Sequence, residues 1–324
     1  MDEAMADAVQ VIAHASKISP DGRTVALCFG TIDFLELMLN WVCHAFSVGV
    51  HWFALVAMDR SLYAELLRLP SLRPHALLLP RIAYRNRTVT KLTVIGERQR
   101  FGLSVLERGF SIVHTDLDAY WLKNPWPLIS VGDDVVAERI WGKPTSVVKA
   151  WGAAICTGWY YLRSSKRSIA LARKTQSEIL AKRTRQPGWQ ASDQYFINIV
   201  LHRQYSLRWD HGNRTLLGAD SMSTKFTDLS NASGTALSPA GPLRVRLLAH
   251  AIVPRACPVL SATEFKNFIR ARQGGKLKGK AYWWRYLMNT ASVVHCVSAF
   301  GLEAARTPWF HPSLNLVMDV APAC

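Results

Sequence analysis

The sequence lacks the motifs of several common enzyme and binding classes. It contains no G-x-G-x-x-G and no G-x-x-x-x-G-K-[ST], which disfavours dinucleotide dehydrogenases and P-loop NTPases. It also contains no H-E-x-x-H and no G-x-S-x-G, the usual signatures of metalloproteases and α/β-hydrolases. Its six cysteines include no C-x-x-C pair, which excludes the usual zinc ribbons and thioredoxin-like redox pairs. Other residues must therefore carry the chemistry.

Long apolar runs and acidic residues are also scarce. No stretch reaches the roughly 18 apolar residues of a membrane span, and residues 1–17 lack the basic and apolar regions of a signal peptide. The 324 residues are 49% hydrophobic, which predicts a folded chain of one large or two modest domains. With 39 Lys and Arg against 23 Asp and Glu, the net charge of +16 favours acidic partners: nucleic acid, an anionic membrane or phosphorylated small molecules.

Apolar runs and amphipathic segments alternate at the start of the chain. Residues 25–31 form a continuous apolar run closed by glycine and threonine, as in a strand buried on both faces. Apolar residues at spacings of three and four predict a helix over 33–46, with Asp33 as its N-cap. A second apolar run follows at 51–58. Strand, helix and strand at this spacing predict a parallel sheet and the α/β class.

The alternation continues towards the C-terminus, with less regular elements in the last third. Helices are predicted at 89–107, 165–182 and 192–201, and strands at 111–115, 134–138, 153–162, 207–209 and 245–249. Residues 228–242 are rich in Ser, Gly, Ala and Pro, which indicates a loop.

Two aspartates follow the clearest of these strands. Asp116 and Asp118 come directly after 111–115, at the carboxyl end, where open α/β sheets bind ligands. Strand alternation would turn both carboxylates to one side, where they repel each other unless a divalent cation neutralises them. Such a cation keeps coordination positions open for the oxygens of a nucleotide diphosphate. D-x-D alone is a weak pattern, since most such pairs are solvated surface.

The residues around this pair resemble a known family. Residues 116–125, D-L-D-A-Y-W-L-K-N-P, are similar to the D-x-D-x-x-W-x-x-[DN]-P signature of the nucleotide-diphospho-sugar transferases, in particular the plant and algal cell-wall arabinosyl- and xylosyltransferases. Three other segments resemble that family in the same order: Asn40-Trp41, residues 157–164 and residues 193–198. The resemblance spans roughly residues 25 to 310, and its strength lies in the order of the motifs.

The resemblance implies a GT-A fold and a glycosyltransferase activity of the EC 2.4 class. One catalytic domain over 1–324 would contain a Rossmann-like nucleotide-binding half at 20–150 and an acceptor and donor-sugar half at 151–310, around a mixed sheet. Members of the family transfer a sugar from a UDP-sugar donor, with retention at the anomeric carbon, to a glycan or glycoprotein acceptor. They work mostly in the Golgi lumen; because this chain shows no anchor, a cytoplasmic location stays open.

The same resemblance implies a metal site. Asp118 would coordinate the metal directly, and Asp116 would lie near the metal and the ribose. His295 would be the third ligand, delivered to the sheet edge by an apolar, strand-like run. An imidazole ligand suits Mn²⁺ better than Mg²⁺. Taken alone, a histidine on an apolar run is more often a core residue than a ligand.

The resemblance also implies donor-binding residues. Asp193 would bind hydroxyls of the donor sugar, and Gln194 would lie close to the anomeric carbon. Thr31 and Asp59, which end the first two strands, would contact the nucleotide. Arg306 would clamp the diphosphate, since a guanidinium can bind phosphate through two hydrogen bonds. Taken alone, Asp193 and Gln194 could simply begin a helix that Ser or Asp caps.

Two basic features remain. Lys91 and Arg98 lie on the helix before the D-x-D strand. They could point toward the nucleotide, but a solvated helix face is favoured. Residues 266–285 carry seven Lys or Arg, no acidic residue and three aromatic residues at 282–284, a composition that a nucleic-acid binder can also have. No helix-turn-helix, RRM or KH signature accompanies it, so a surface loop or a patch facing an anionic membrane is predicted and nucleic acid is not. The rival hypothesis is a non-catalytic, basic GT-A-like binding protein or a nucleic-acid binder.

Overall fold

The structure is a computed structural model, and it describes residues 2–79, 91–130, 132–140, 143–182, 192–210, 231–249 and 293–295. The helices in these ranges are α1 (Asp2–Lys17), α2 (Leu35–Ser47), α3 (Arg60–Arg68), α4 (Lys91–Glu107), α5 (Thr145–Trp151), α6 (Lys166–Lys182) and α7 (Asp193–Ile199). The strands are β1 (Thr24–Gly30), β2 (Phe53–Ala57), β3 (Ala76–Leu78), β4 (Ser111–Thr115), β5 (Ala119–Trp121), β6 (Val135–Ile140), β7 (Ala154–Leu162), β8 (Arg208–Trp209), β9 (Ala232–Ser238), β10 (Gly241–Leu247) and β11 (Val293–His295).

A mixed sheet forms the centre of the described fold. Its strand order is β3-β2-β1-β4-β7-β6-β10-β9-β8. β1 pairs in parallel with β2 and β4, β7 runs antiparallel between β4 and β6, and β10 is parallel to β6. Because β7 lies between β4 and β6, the two predicted halves of the chain share one sheet. The structure confirms the predicted α/β class and the parallel pairing of the first two strands.

Helices cover both faces of the sheet. Apolar side chains from α1, α4 and α6 pack on one face, and those from α2 and α3 pack on the other. Every residue of β1, β2 and β4 is buried, which agrees with strands that have helices on both sides. The sequence predicted β4 to the residue because this apolar run is bounded sharply by Gly109 and Asp116. None of the described helices is both long and apolar enough to cross a lipid bilayer.

The start of α2 differs from the prediction. Asp33 is not its N-cap, because a 3₁₀ turn over Ile32–Phe34 precedes the helix and Phe34 occupies the cap position without a side-chain cap. The Phe34 N–H donates to the Thr31 carbonyl at 2.9 Å, so the turn satisfies its own backbone groups. An aspartate cap is therefore not needed at this point.

Strand β9 was predicted as a loop, and that prediction was wrong. Its small residues hid the alternation, since Ala232, Gly234 and Ala236 are buried and the residues between them are not. A Cβ atom on Gly234 would lie 2.5 Å from the Arg208 carbonyl oxygen, so only glycine fits beside β8. β9 pairs antiparallel with β10 along its whole length.

Candidate active site

The D-x-D residues lie in a tight turn between β4 and β5. The Asp116 N–H donates to the Gly158 carbonyl of β7 at 2.7 Å, and the Ala119 N–H donates to the Asp116 carbonyl at 3.0 Å. Asp116 and Asp118 are both partly exposed. β4 ends at Thr115, so the strand alternation used in the prediction does not extend through Asp116 and Asp118. Whether both carboxylates face one side stays a prediction.

Arg98 of α4 compensates the charge of two carboxylates. Its Nη2 lies 3.2 Å from Asp116 Oδ1 and 3.4 Å from Asp193 Oδ2, and 16% of its side chain is exposed. The guanidinium carbon also lies 5.8 Å from the centre of the Phe29 ring. The predicted solvated position of Arg98 was wrong, since the acidic residues that face this side of α4 come from distant segments. The cation beside Asp116 in the described structure is therefore a guanidinium.

Asp193 is the first residue of α7 and is 5% exposed. Its Oδ1 accepts from Thr157 Oγ1 at 3.1 Å, and its Oδ2 accepts from Gln99 Nε2 at 3.0 Å. The N-cap of the helix is Ser192, whose side chain accepts from the Tyr195 N–H. The carboxylate of Asp193 is therefore not used as the helix cap, and it points into the cluster that contains Arg98.

Gln194 follows Asp193 at the same end of α7. Its backbone N–H donates to Asp193 Oδ1 at 2.9 Å, and its Nε2 donates to the Lys143 carbonyl at 3.3 Å. The residue is partly exposed. Its side chain thus lies at the margin of the cluster, and its position relative to an anomeric carbon stays a prediction.

His114 of β4 completes the cluster on the buried side. Its ring stacks between Phe29 and Tyr160, with ring centres 5.5 and 5.1 Å away. Burial, and then the positive charge of Arg98, lowers the pKa of His114. Because a guanidinium can only donate, His114 Nε2 accepts a hydrogen bond from Arg98 and the ring is neutral. Asp116 Oδ1 also lies near His114 Nε2, at 3.5 Å.

The sequence analysis did not single out Gln99 or His114, and it favoured a solvated position for Arg98 over one that faces the nucleotide. Gln99 Nε2 also lies 3.1 Å from the hydroxyl of Tyr160, and burial, followed by the charge of Asp193, raises the pKa of that hydroxyl. One signal was available: a histidine inside a buried strand, two residues before the first aspartate of the acidic pair. It indicates a polar environment at the end of β4, although it does not identify the partners.

Asp59 and Thr31 lie at neighbouring strand ends. Asp59 Oδ2 accepts from the Ile32 N–H at 2.9 Å, and Oδ1 accepts from the Leu62 N–H at 2.8 Å as the N-cap of α3. Asp59 therefore ties the turn that contains Thr31 to the end of β2. The structure brings these two residues to one edge of the sheet, while their contact with a nucleotide stays a prediction.

The strand that contains His295 lies beside the D-x-D turn. β11 pairs antiparallel with β5, and the register places His295 opposite Ala119, the residue after Asp118. The two strands form a small sheet of their own beside the D-x-D turn. The predicted strand at His295 is confirmed, and the role of His295 as a metal ligand stays a prediction. Where side chains are described, no three His, Cys, Asp or Glu residues are grouped closely enough to hold a metal. The side chain of His295 is not among those described.

Two further sequence predictions lie outside the described residues. These are Arg306, the expected diphosphate clamp, and the basic segment 266–285.

The described structure combines a mixed α/β sheet with an acidic turn at the carboxyl end of β4, where open α/β sheets bind their ligands. The chain belongs to the nucleotide-diphospho-sugar transferase family, whose model matches residues 49–293. This match covers the D-x-D turn, both helices of the Arg98–Asp193 contact and the start of β11. The family resemblance seen in the sequence is confirmed.

Two plant proteins are similar to part of the chain. The beta-arabinofuranosyltransferase RAY1 of Arabidopsis thaliana is 25% identical over 164 residues, which are 48% of this chain and 30% of RAY1. An uncharacterized Arabidopsis thaliana protein is 31% identical over 85 residues, which are 26% of this chain and 23% of that protein. The matches therefore span less than a third of either relative.

Solved structures resemble the chain more distantly. The galactosyltransferase LgtC, in complex with donor and acceptor sugar analogues, has a TM-score of 0.45 at 9% identity, over 92% of this chain and 95% of LgtC. The apo form of the glycosyltransferase GlyE of Streptococcus pneumoniae TIGR4 has a TM-score of 0.43 at 9% identity, over 92% of this chain and 64% of GlyE. With scores this low, these likenesses add nothing to the family assignment.

Proposed function

We propose that this protein is a metal-dependent, retaining glycosyltransferase that moves a sugar from a UDP-sugar to a glycan or glycoprotein acceptor. Family membership supports the reaction class. The observation that carries the metal site is the pairing of β11 with β5, which sets His295 opposite the residue that follows Asp118. Residues far apart in the sequence thereby meet at the turn that bears the acidic pair.

The donor atoms at this turn suit a divalent cation. Asp118 and His295 would hold it, with help from Asp116, and a ligand set of carboxylates and one imidazole favours Mn²⁺ over Mg²⁺. When bound, such a cation supplies positive charge that stabilises the diphosphate as a leaving group. Arg98 already pairs with Asp116 Oδ1 at 3.2 Å. We therefore assign the direct coordination chiefly to Asp118.

The Asp193 cluster would hold the donor sugar. Thr157 and Gln99 fix the Asp193 carboxylate through hydrogen bonds, so the group has one orientation. In that orientation it would accept hydrogen bonds from sugar hydroxyls, while the Gln194 carboxamide would stabilise positive charge that develops at the anomeric carbon. No protein nucleophile is assigned. Retention through a covalent intermediate and retention by attack of the acceptor on the same face both remain open.

The nucleotide would lie along the adjacent strand ends. The turn that contains Thr31 and the end of β2 at Asp59 are joined by the Asp59–Ile32 hydrogen bond. This edge would contact the uracil and ribose. Arg306 would bind the diphosphate. The location we propose is the Golgi lumen, as the family resemblance implies, with the cytoplasm as the alternative.

The first experiment is a screen of UDP-sugar hydrolysis with Mn²⁺ and with EDTA. UDP-arabinofuranose is the first donor to test, because RAY1 is described as an arabinofuranosyltransferase. Asp118→Ala should abolish Mn²⁺-dependent turnover and leave the thermal unfolding midpoint unchanged, because a partly exposed turn residue contributes little to the core. Asp210→Ala is the control, since it removes an aspartate of an exposed ion pair with Arg244.

Normal turnover by Asp118→Ala would remove Asp118 from the metal site. Hydrolysis that is unaffected by EDTA would refute the metal requirement. Metal-independent capture of RNA that weakens steeply with salt would instead support the nucleic-acid-binding alternative.

A further inference from the structure

The indole of Trp41, on α2, contacts both ends of the D-x-D turn. Its Nε1 lies 3.2 Å from Thr115 Oγ1 and 3.1 Å from the Ala119 carbonyl oxygen. Thr115 is the last residue of β4, and Ala119 is the first residue of β5. One N–H group therefore bridges the two ends of the segment that carries Asp116 and Asp118.

Packing leaves the indole little freedom. Trp41 is 0% exposed, and its ring makes edge-to-face contacts with Phe53 at 5.3 Å and with Trp121 at 5.0 Å between ring centres. Because protein interiors are close-packed, a fully buried ring of this size is held in a single position. The N–H group of Trp41 is thus a fixed donor beside the turn.

The Trp41 bond complements the backbone bonds of the turn. The Asp116 N–H is tied to Gly158 of β7, and the Ala119 N–H is tied to the Asp116 carbonyl. These two bonds fix the start of the turn and its closure. The Trp41 N–H adds contacts from α2 to Thr115 and Ala119, so a helix on one face of the sheet is linked to both ends of the turn.

We propose that Trp41 is a positioning residue for the metal site. Its N–H holds Thr115 and Ala119 at a fixed separation and so sets how the Asp116 and Asp118 carboxylates face a divalent cation. This inference rests on the proposed function. Groups that orient metal ligands through hydrogen bonds typically change metal affinity or activity by about 10- to 100-fold when they are removed.

The direct test replaces Trp41 with phenylalanine, which keeps an aromatic ring and removes the N–H. Mn²⁺ binding is measured by calorimetry without donor. We expect the Mn²⁺ dissociation constant of Trp41→Phe to rise about 10-fold or more. Turnover, measured at saturating Mn²⁺, should recover towards the wild-type rate, since the ligands themselves are intact.

Trp209→Phe is the matched control. Trp209 is 5% exposed in β8, the edge strand of the main sheet away from the D-x-D turn, and its Nε1 has no hydrogen-bond partner among the described residues. Each substitution removes the same atoms from a buried indole, so both should lower the thermal unfolding midpoint. Only Trp41→Phe should weaken Mn²⁺ binding.

Thr115→Val keeps the inference testable if Trp41→Phe does not fold. It removes one of the two acceptors of the Trp41 N–H, so it should raise the Mn²⁺ dissociation constant in the same direction by a smaller factor. The effects of the two changes should add less than fully in the double variant, because both break the Trp41–Thr115 contact, while Thr115→Val also removes the 3.3 Å hydrogen bond from the Thr115 hydroxyl to the Asp116 carbonyl. Unchanged Mn²⁺ binding by Thr115→Val would count against the bridge.

The outcomes separate this inference from the proposed function. If the wild type binds Mn²⁺ and Asp118→Ala does not, but Trp41→Phe and Trp209→Phe bind it equally, the positioning role is refuted and the metal site stands. A wild-type protein that binds no Mn²⁺ would overturn both.

Discussion

Arg98 contacts carboxylates from two separate segments, Asp116 after β4 and Asp193 at the start of α7. Burial acts to lower the Arg98 pKa, but the two carboxylates outweigh it, and the pKa lies above its ordinary value. A partly buried charge cluster of this kind contributes to stability only while each charge has its partner. Loss of Arg98 would leave Asp116 and Asp193 close together without compensation.

We predict that the single substitution Arg98→Met destabilises the fold by about 3 to 5 kcal/mol, the usual cost of removing one partner from a buried ion pair. The free energy of unfolding in urea measures it. Arg173→Met is the control, because the Arg173 side chain is 62% exposed in its pair with Glu107 and the substitution should cost less than about 1 kcal/mol. Equal losses in the two variants would show that the Arg98 contacts do not support the fold.

Among the secondary-structure elements, the edge strand β3 of the main sheet is preceded by a buried histidine. His75 ends the 3₁₀ turn before β3, and its ring stacks on Phe53 of β2 with ring centres 4.3 Å apart. Its Nδ1 lies 3.0 Å from the Phe53 carbonyl oxygen. Burial chiefly lowers the pKa of His75, and the nearby His14 and His51 add to the effect.

The lowered pKa makes the stability of this edge depend on pH. Below pH 6.5, the ordinary pKa of histidine, His75 binds a proton more readily in the unfolded chain than in the folded protein. The contribution of His75 is therefore complete above pH 6.5 and decreases as the pH falls towards the folded-state pKa. We expect the free energy of unfolding to decrease less between pH 7.5 and pH 5.5 in His75→Gln than in the wild type. Identical decreases would contradict this assignment.

Across the whole molecule, the sequence predicted best the elements with a long apolar or amphipathic run. The boundaries of β4 and of α6 were correct to within one residue, because long apolar or amphipathic runs end there at polar residues or glycine. Strand β9 was missed, since its buried positions are Ala and Gly, which resemble loop composition. The short strands β3 and β5 have too few residues for a periodic pattern.

The candidate site was predictable only where its residues are neighbours in the sequence. The D-x-D pair and the helix start at Asp193 stood out because each belongs to a local motif. Arg98 did not, because the periodicity of α4 does not show which acidic residues from elsewhere face it. His295 was predicted on a strand-like run, and the structure confirms a strand, but its pairing with β5 depends on long-range contacts that no local pattern records.

The central claim is that a divalent cation at the D-x-D turn anchors the donor diphosphate. Calorimetric titration of UDP into the wild-type protein, once with Mn²⁺ and once with EDTA, tests it most directly. We predict that UDP binds with Mn²⁺ present and that binding is lost in EDTA and in Asp118→Ala. Equal UDP affinity with Mn²⁺ and with EDTA would contradict the claim.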